Sequence, residues 1–279
     1  MIDLHTHTTA SDGKCTPDEL VARAATAGVS VLGLTDHDTV AGCAAAAAAC
    51  ARHGLEFVPG IEVTAVADER DVHVLAYFFD LASPSLHAFL AVQRQRRMER
   101  VREMFARLAA NGIHLDVERI LSAGVADPDR AVGRPWIARA LVEAGHVADV
   151  NEAFARWLSN GCPAFVPRTG ASPAEVIGKI HEAGGLASLA HPVLVKHDEW
   201  IPELAEAGLD ALEAYHSDHS AVDTARYLAL ARELGLLVTG GSDFHDDTHH
   251  GGGGPGSVCL PREHYDVLLA TRKSAIANR

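Results

Sequence analysis

The stretch Val31-Leu32-Gly33-Leu34-Thr35-Asp36-His37-Asp38 reads as a short buried strand that runs straight into acidic and imidazole side chains. The apolar part is too short for a helix, and a core strand has no packing reason to end in three ionisable groups. The same pattern recurs on both sides of it. Residues 2–4 form a short strand followed by His5-Thr6-His7 and then Asp12. Strand 57–64 carries Gly60-Ile61-Glu62, and a polar turn at 68–71 leads to strand 72–79, with His73 at its start. Strand 186–190 is followed by His191-Pro192, and the run 236–241 by Ser242-Asp243-Phe244-His245. Residues 211–215 make a further strand. Helical patterns lie between: 17–27, with Thr16 as N-cap, Pro17 at the first helical position and Glu19 in a partial capping box, and an alanine-rich helix ending near Gly54. Such alternation predicts βα units and an α/β fold with a mainly parallel sheet or barrel.

The middle of the chain differs. From 85 to 158 the pattern is mostly helical, with helices expected over 93–110, 131–144 and 150–158, the first bearing six arginines. The expected organisation is a β/α barrel from residues 1–84 and 165–279 and a helical insertion over 85–164. The glycine run that opens 251–256 reads as an irregular loop, and no GK[ST] follows it, so it is not a phosphate-binding Walker loop.

Composition narrows the function. The 279 residues are 48% hydrophobic, enough for a sizeable core, and the net charge of -13 repels long nucleic acid unless local charge reverses the sign. No signal peptide or membrane-length apolar run is evident, and five scattered cysteines without a CxxC pair suit reduced thiols; a cytoplasmic protein is expected. Seventeen histidines stand against only four lysines, which makes histidine placement the question to ask.

Side chains two apart on a strand share a face, so His5 with His7, and Asp243 with His245, can each address one ion. A lone HxH is weak, since one strand-end histidine is often just a half-buried polar residue. Here, however, His5, His7, Asp12, His37, Glu62, His73, His191, Asp243 and His245 all fall on or just after strands, where β/α barrels gather catalytic groups. Imidazole with carboxylate suits manganese, zinc or iron, and nine ligands exceed one tetrahedral ion but match a two- or three-metal centre of the kind used on phosphate esters.

On these residues (HTH at 5–7, TDHD at 35–38, GIE at 60–62, AHP at 190–192 and SDFH at 242–245) the chain resembles the PHP family, named for polymerase and histidinol phosphatase. The resemblance spans nearly the whole chain. It implies a distorted (β/α)7 barrel with a metal cluster that cleaves phosphate esters through a metal-activated hydroxide. It also implies a ligand division: His5, His7, Glu62 and Asp243 on one ion; Glu62, His73 and His191 on a second; Asp12, His37 and His245 on a third. Manganese is the first expectation, with zinc or iron as alternatives. The helical insertion, the segment Gly133-Arg134-Pro135-Trp136-Ile137-Ala138-Arg139 and the segment 215–220 resemble a bacterial branch that removes the 3′-phosphate of nucleoside 3′,5′-bisphosphates or trims short RNA from its 5′ end. Trp136 departs from a histidine common in that branch.

The expected function is therefore a metal-dependent phosphoesterase acting on a nucleoside 3′,5′-bisphosphate or another small phosphorylated partner, with short oligonucleotides as a further class. Glu62, His191 and His216 are the catalytic candidates, and Arg134, Arg97, Arg100 and His219 the substrate-binding ones. Arg97 and Arg100, three apart on one helical face, can bind phosphate or form a solvated basic face pairing with Glu99 and Glu103. Rivals are 5′-3′ exoribonuclease activity, histidinol-phosphate phosphatase activity and a non-catalytic metal-binding protein. An amidohydrolase with a carbamylated bridging lysine is disfavoured, because no lysine ends a strand.

Overall fold

The structure is a computed structural model and describes residues 1–247 and 253–277. Seven strands, β1 (Ile2–Asp3), β2 (Val31–Leu34), β3 (Glu56–Ala67), β4 (Arg70–Tyr77), β5 (Leu186–Leu189), β6 (Ala211–Tyr215) and β7 (Leu237–Gly240), form one sheet in sequence order. The ends nearly close: Leu4 N–H donates to Gly240 carbonyl at 3.2 Å, and Thr6 bridges Phe244 in parallel. The result is a distorted (β/α)7 barrel. All pairings are parallel except those of β4, which is antiparallel to both β3 and β5. The cause is local. A turn of two residues, Asp68 and Glu69, both at positive φ (47° and 60°), reverses the chain between β3 and β4, and such a hairpin allows no other sense. The turn is tighter than the sequence suggests, because β3 runs on to Ala67.

Helices α1 (Pro17–Thr26), α2 (Cys43–His53), α8 (Pro192–Val195), α9 (Ile201–Glu206), α10 (Ala221–Leu234) and α11 (Arg262–Ala277) follow strands, and α7 (Pro173–Glu182) leads into β5. Between β4 and β5 come α3 (Pro84–Ala110), α4 (Val117–Ala126), α5 (Arg134–Glu143) and α6 (Val150–Ala153). The Thr16 capping box is complete, and Gly54 ends α2 at φ 73°. Helix α3 starts nine residues before the expected 93, at Pro84, with the Ser83 hydroxyl accepting the Leu86 N–H. The expected helix over 150–158 is one α-turn running into a π-turn at Phe154–Leu158. Of the glycine-rich loop, residues 251 and 252 lie outside the described residues, and Gly256 N–H donates to Asp3 at 2.7 Å.

Three cores appear among the described residues. One lies in and around the barrel and includes Leu4, Ile61, Val63, Leu75 and Tyr77; a second joins α3 to α5 and its neighbours through Val101, Met104, Phe105, Leu121, Ile137 and Leu141; a third packs α1 and α2 on β2 through Leu20, Val21, Leu32, Ala46 and Cys50. Tyr77 is fully buried and donates its hydroxyl to Leu4 carbonyl at 3.0 Å, which ties the hairpin to β1 across the barrel interior. No helix of the described residues is long and apolar enough to cross a membrane.

Strand β2 approaches β1 most closely at Gly33, where a Cβ would fall 2.6 Å from Leu4 carbonyl oxygen. Backbone cannot yield as a flexible side chain does, so Gly33→Ala should lose about 1–3 kcal/mol of stability by overpacking. Urea unfolding checks this, and an unchanged midpoint at constant slope would contradict it.

Candidate metal centre and anion cleft

Backbone turns at the strand ends aim nine side chains at one place. His5 and His7 follow β1, Asp12 lies in the next loop, His37 follows β2, and Glu62 sits within β3. His73 lies on β4, His191 follows β5, and Asp243 and His245 follow β7. Three residues in or beside the cluster hold positive φ without being glycine: Asp38 (50°), His191 (27°) and Asp243 (51°). Such conformations cost about 1–3 kcal/mol each and persist only where the surroundings enforce them. Here each N–H has a fixed acceptor: Glu62 carbonyl for Asp38 (2.9 Å), Glu213 Oε2 for His191 (2.7 Å) and His5 carbonyl for Asp243 (2.8 Å).

The donor atoms converge in three groups. His5 Nε2 lies 3.4 Å from Glu62 Oε2 and 3.2 Å from Asp243 Oδ1, and His7 Nε2 lies 3.2 and 3.1 Å from the same two oxygens. A tetrahedral ion with bonds near 2.0–2.1 Å needs ligand separations of about 3.3–3.4 Å, so this quartet has the right size. Around Glu62 Oε1 stand His73 Nδ1 at 2.7 Å and His191 Nε2 at 3.0 Å, themselves 3.3 Å apart. Around Asp12 stand His245 Nε2 at 3.3 Å and His37 Nε2 at 3.6 Å. His37 faces both neighbours, since its Nδ1 lies 3.1 Å from Glu62 Oε2.

His5 Nε2, both nitrogens of His7 and His37 Nδ1 are buried and make no hydrogen bond. Orphaned buried imidazole nitrogens that converge on carboxylates fit divalent ions far better than a packed core. The electrostatics agree. Burial alone would raise the Glu62 carboxyl, yet the charges of His37, His73 and His5 hold it well below the usual range. Burial would lower His7, but Asp243 and Glu62 push it up to about 10. These carboxylates hold strongly to positive charge, whether proton or metal.

One residue of this centre was missed in the sequence. Glu213, fully buried on β6, accepts from His5 Nδ1 at 2.9 Å and from His191 N–H at 2.7 Å. It thereby fixes the His5 tautomer, leaving Nε2 free to face Glu62 and Asp243. His216, also buried, accepts the Asp218 N–H on Nδ1 at 3.1 Å and directs Nε2 to Asp243 Oδ2 at 3.2 Å. His219 packs on His216 and Tyr227, and its Nδ1 donates to Ala214 carbonyl at 2.9 Å.

Beside the His73 end of the cluster lies a cavity of about 220 Å³ lined by Thr64, Gln93, Arg97, Arg100 and Arg168. Thr64 is the register partner of His73. Arg97 and Arg100 are buried, which overturns the solvated-face alternative: Arg97 bonds Asp38 and Thr64, and Arg100 donates to Val166 carbonyl at 2.8 Å. Glu99 and Glu103 are exposed on the rim. Arg134 and Arg168 each reach Asp71 at 3.1 Å. Arg168, in the irregular run after 165, gave no periodic signal and was also missed. Four guanidinium groups (97, 100, 134, 168) thus face two carboxylates (Asp38, Asp71) inside the cleft, while Arg96, Glu99 and Glu103 line its rim. Burial, with Arg97 beside it, pushes Arg168 down to about 9, and burial with Arg134 and Arg97 pushes Arg100 down to about 10. A site that crowds cations in this way favours an anion.

A PHP-domain family model matches residues 3–131. The 3′,5′-nucleoside bisphosphate phosphatase of Chromobacterium violaceum is 37% identical over 251 residues, covering 88% of this chain and 87% of that one. The chain belongs to the PHP family. The 5′-3′ exoribonuclease Rnm of Salmonella typhimurium is 36% identical over 255 residues, covering 87% of this chain and 84% of its own. A solved Bifidobacterium adolescentis structure superposes with a TM-score of 0.86 at 34% identity, covering 96% and 95% of the two chains; its description as a metal-dependent phosphoesterase is itself an inference. The PHP chain is accordingly a metal-dependent hydrolase of phosphoric esters.

Glu213→Gln keeps the size of the side chain but offers only one acceptor oxygen to two donors. It should weaken metal retention roughly 10- to 100-fold, as loss of a partner behind a ligating histidine does. Dissociation constants measured by competition with a chelator check this; an unchanged constant would deny Glu213 its orienting role.

Proposed function

We propose that this PHP enzyme removes the 3′-phosphate from nucleoside 3′,5′-bisphosphates, yielding a nucleoside 5′-monophosphate and phosphate. The observation that carries the reading is the pairing of two zones: the ligand cluster and, next to His73, the cleft into which Arg97, Arg100, Arg134 and Arg168 crowd. A substrate with two phosphates one ribose apart has a use for both. The bisphosphate phosphatase relative agrees with it.

The ligands divide as the groups suggest: His5, His7, Glu62 and Asp243; Glu62, His73 and His191; Asp12, His37 and His245. Bound divalent ions supply an activated water and neutralise charge on the phosphoryl oxygens. Glu62 holds two groups together with its two oxygens, so its loss should disperse both. Glu213 and the strained turns fix the imidazoles before substrate arrives, which keeps reorganisation cost low. Arg97, Arg100, Arg134 and Arg168 bind the 5′-phosphate and so place the 3′-phosphate at the cluster. His216 takes the Asp218 N–H on Nδ1 and turns Nε2 to Asp243 Oδ2, so it holds that carboxylate in place for the cluster. His219 supports that ring from behind. In this scheme the helical segment between β4 and β5 recognises the substrate and the barrel performs the chemistry.

Two charge-assisted arginine bonds can contribute ~3 kcal/mol, on the order of a hundredfold. Adenosine 3′,5′-bisphosphate should exceed 3′-AMP in kcat/KM by that factor, and histidinol phosphate should be a poor substrate. Arg168→Ala and Arg134→Ala should each remove a large part of the preference while leaving p-nitrophenyl phosphate hydrolysis little changed. Equal rates on the bisphosphate and 3′-AMP would overturn the two-zone reading. In Glu62→Gln the rate on every substrate should fall by several orders of magnitude along with metal content; a fully active variant would exclude the bridging assignment.

A further inference from the structure

A group of arginines outside both the ligand cluster and the arginine cleft has no task in the scheme above. Helices α4 and α5 and the chain between them enclose a cavity of about 270 Å³, lined by Arg119, Arg130, Arg139, the Trp136 ring, Ile120 and Glu143. None of these residues lines the cleft of Arg97, Arg100 and Arg168, and none belongs to the ligand groups of the cluster. The three guanidinium groups meet a single carboxylate, Glu143, and among the described residues none of the three makes an ion pair with a carboxylate. On a chain whose net charge is -13, three arginines without an acid leave their anion to be supplied from outside.

Further contacts describe the rest of the ligand. The Arg130 guanidinium lies 4.9 Å over the Trp136 ring, and its Nε is buried without a hydrogen-bond partner. A buried donor left open is costly unless something accepts from it. The indole spends its one N–H on the Ser11 carbonyl at 3.1 Å, so Trp136 offers the cavity a plane and no donor. Ile120 adds an apolar side, and Glu143 can accept from an exocyclic amino group. An anion joined to a flat, amino-bearing ring uses all of these contacts. An inorganic anion leaves the plane idle, and an uncharged ring leaves the arginines idle. The volume holds one small molecule.

We infer that this cavity is an effector site for a nucleoside monophosphate, separate from the place of hydrolysis. The phosphate sits among Arg119, Arg130 and Arg139, and the base lies against Trp136. Occupation reaches the cluster through Arg139. Its guanidinium lines this cavity and also the neighbouring one of about 420 Å³ that contains Asp12 and His245, and it donates to the Asp12 carbonyl. A phosphate oxygen is a stronger acceptor for a guanidinium than a neutral carbonyl is. A bound phosphate therefore draws Arg139 off the Asp12 loop and loosens a loop that the cluster needs. The effector slows turnover without competing for substrate. This holds whichever phosphate ester the cluster cleaves, so it stands apart from the bisphosphate reading.

The test uses adenosine 5′-monophosphate as the probe, with adenosine and inorganic phosphate as its two halves. Titration should quench tryptophan fluorescence saturably, and the quench should persist in protein stripped of metal, because no residue of the cavity is a ligand. Arg119→Glu together with Arg130→Ala should weaken this binding roughly tenfold or more, whereas Arg168→Ala, in the other cleft, should leave it within about twofold. On p-nitrophenyl phosphate the nucleotide should lower kcat roughly fivefold at constant KM. The double variant should lose that response and keep its uninhibited rate within about twofold of wild type, which also shows that it folds. A nucleotide that raises KM alone, in wild type and double variant alike, would belong to the cluster or the arginine cleft and would overturn the effector site. So would equal quenching of the two proteins. Binding of adenosine or of inorganic phosphate at this site as tightly as the nucleotide would overturn the two-part ligand. Inhibition and quenching that follow Arg119 and Arg130 would uphold the site even if adenosine 3′,5′-bisphosphate proved a poor substrate.

Discussion

The structure depends on a carboxylate in the wall of the barrel. Glu62 is 1% exposed, and nothing apolar can hold a charge there. What holds it is a shell of five imidazoles, those of His5, His7, His37, His73 and His191, each with a nitrogen within 3.4 Å. The strands exist in the order they do so that these rings can arrive from separate directions. The β3–β4 hairpin is the device for two of the members. It places Glu62 and His73 on neighbouring antiparallel strands, and it breaks the parallel rule of the barrel to do so. Strain at His191 and Asp243 is a further cost of the same convergence, and hydrogen bonds to the frame hold it.

The helical segment is coupled to that centre through one helix. Helix α5 reaches Asp71 with Arg134, Ser11 carbonyl with Trp136 and Asp12 carbonyl with Arg139. One rigid element therefore touches both the anion cleft and the loop that carries a ligand. Trp136 fits this geometry because indole has one donor, and here that donor is spent on the Ser11 carbonyl.

Most of the clustered positions were legible because they follow strand ends, where β/α folds gather side chains at one face of the barrel; Glu62 and His73 lie inside β3 and β4 and were legible as ionisable groups in apolar strands. The same logic failed for Glu213. It lies inside β6, between apolar neighbours, and a buried carboxylate that partners a histidine 208 residues away leaves no local mark. Arg97 and Arg100 were visible as a helical pair, but their burial depends on Asp38 and on the segment around Val166, neither of which is near in sequence. Arg168 lies in irregular chain and had no pattern to reveal it. The early start of α3 is written in Ser83-Pro84, a cap followed by a first-turn proline, upstream of the arginine-rich stretch that carries the stronger periodic signal. The π-turn at Phe154 had no such cue.

The proposed function requires nine side chains to form one polynuclear centre organised by Glu62. Elemental analysis of the wild-type protein, purified from cells supplied with manganese or zinc and stripped of loosely held ions, tests it directly. At least two divalent ions per chain are expected, with a third taken up on titration. Less than one ion per chain, and no gain in phosphoesterase activity when metal is added back, would contradict it.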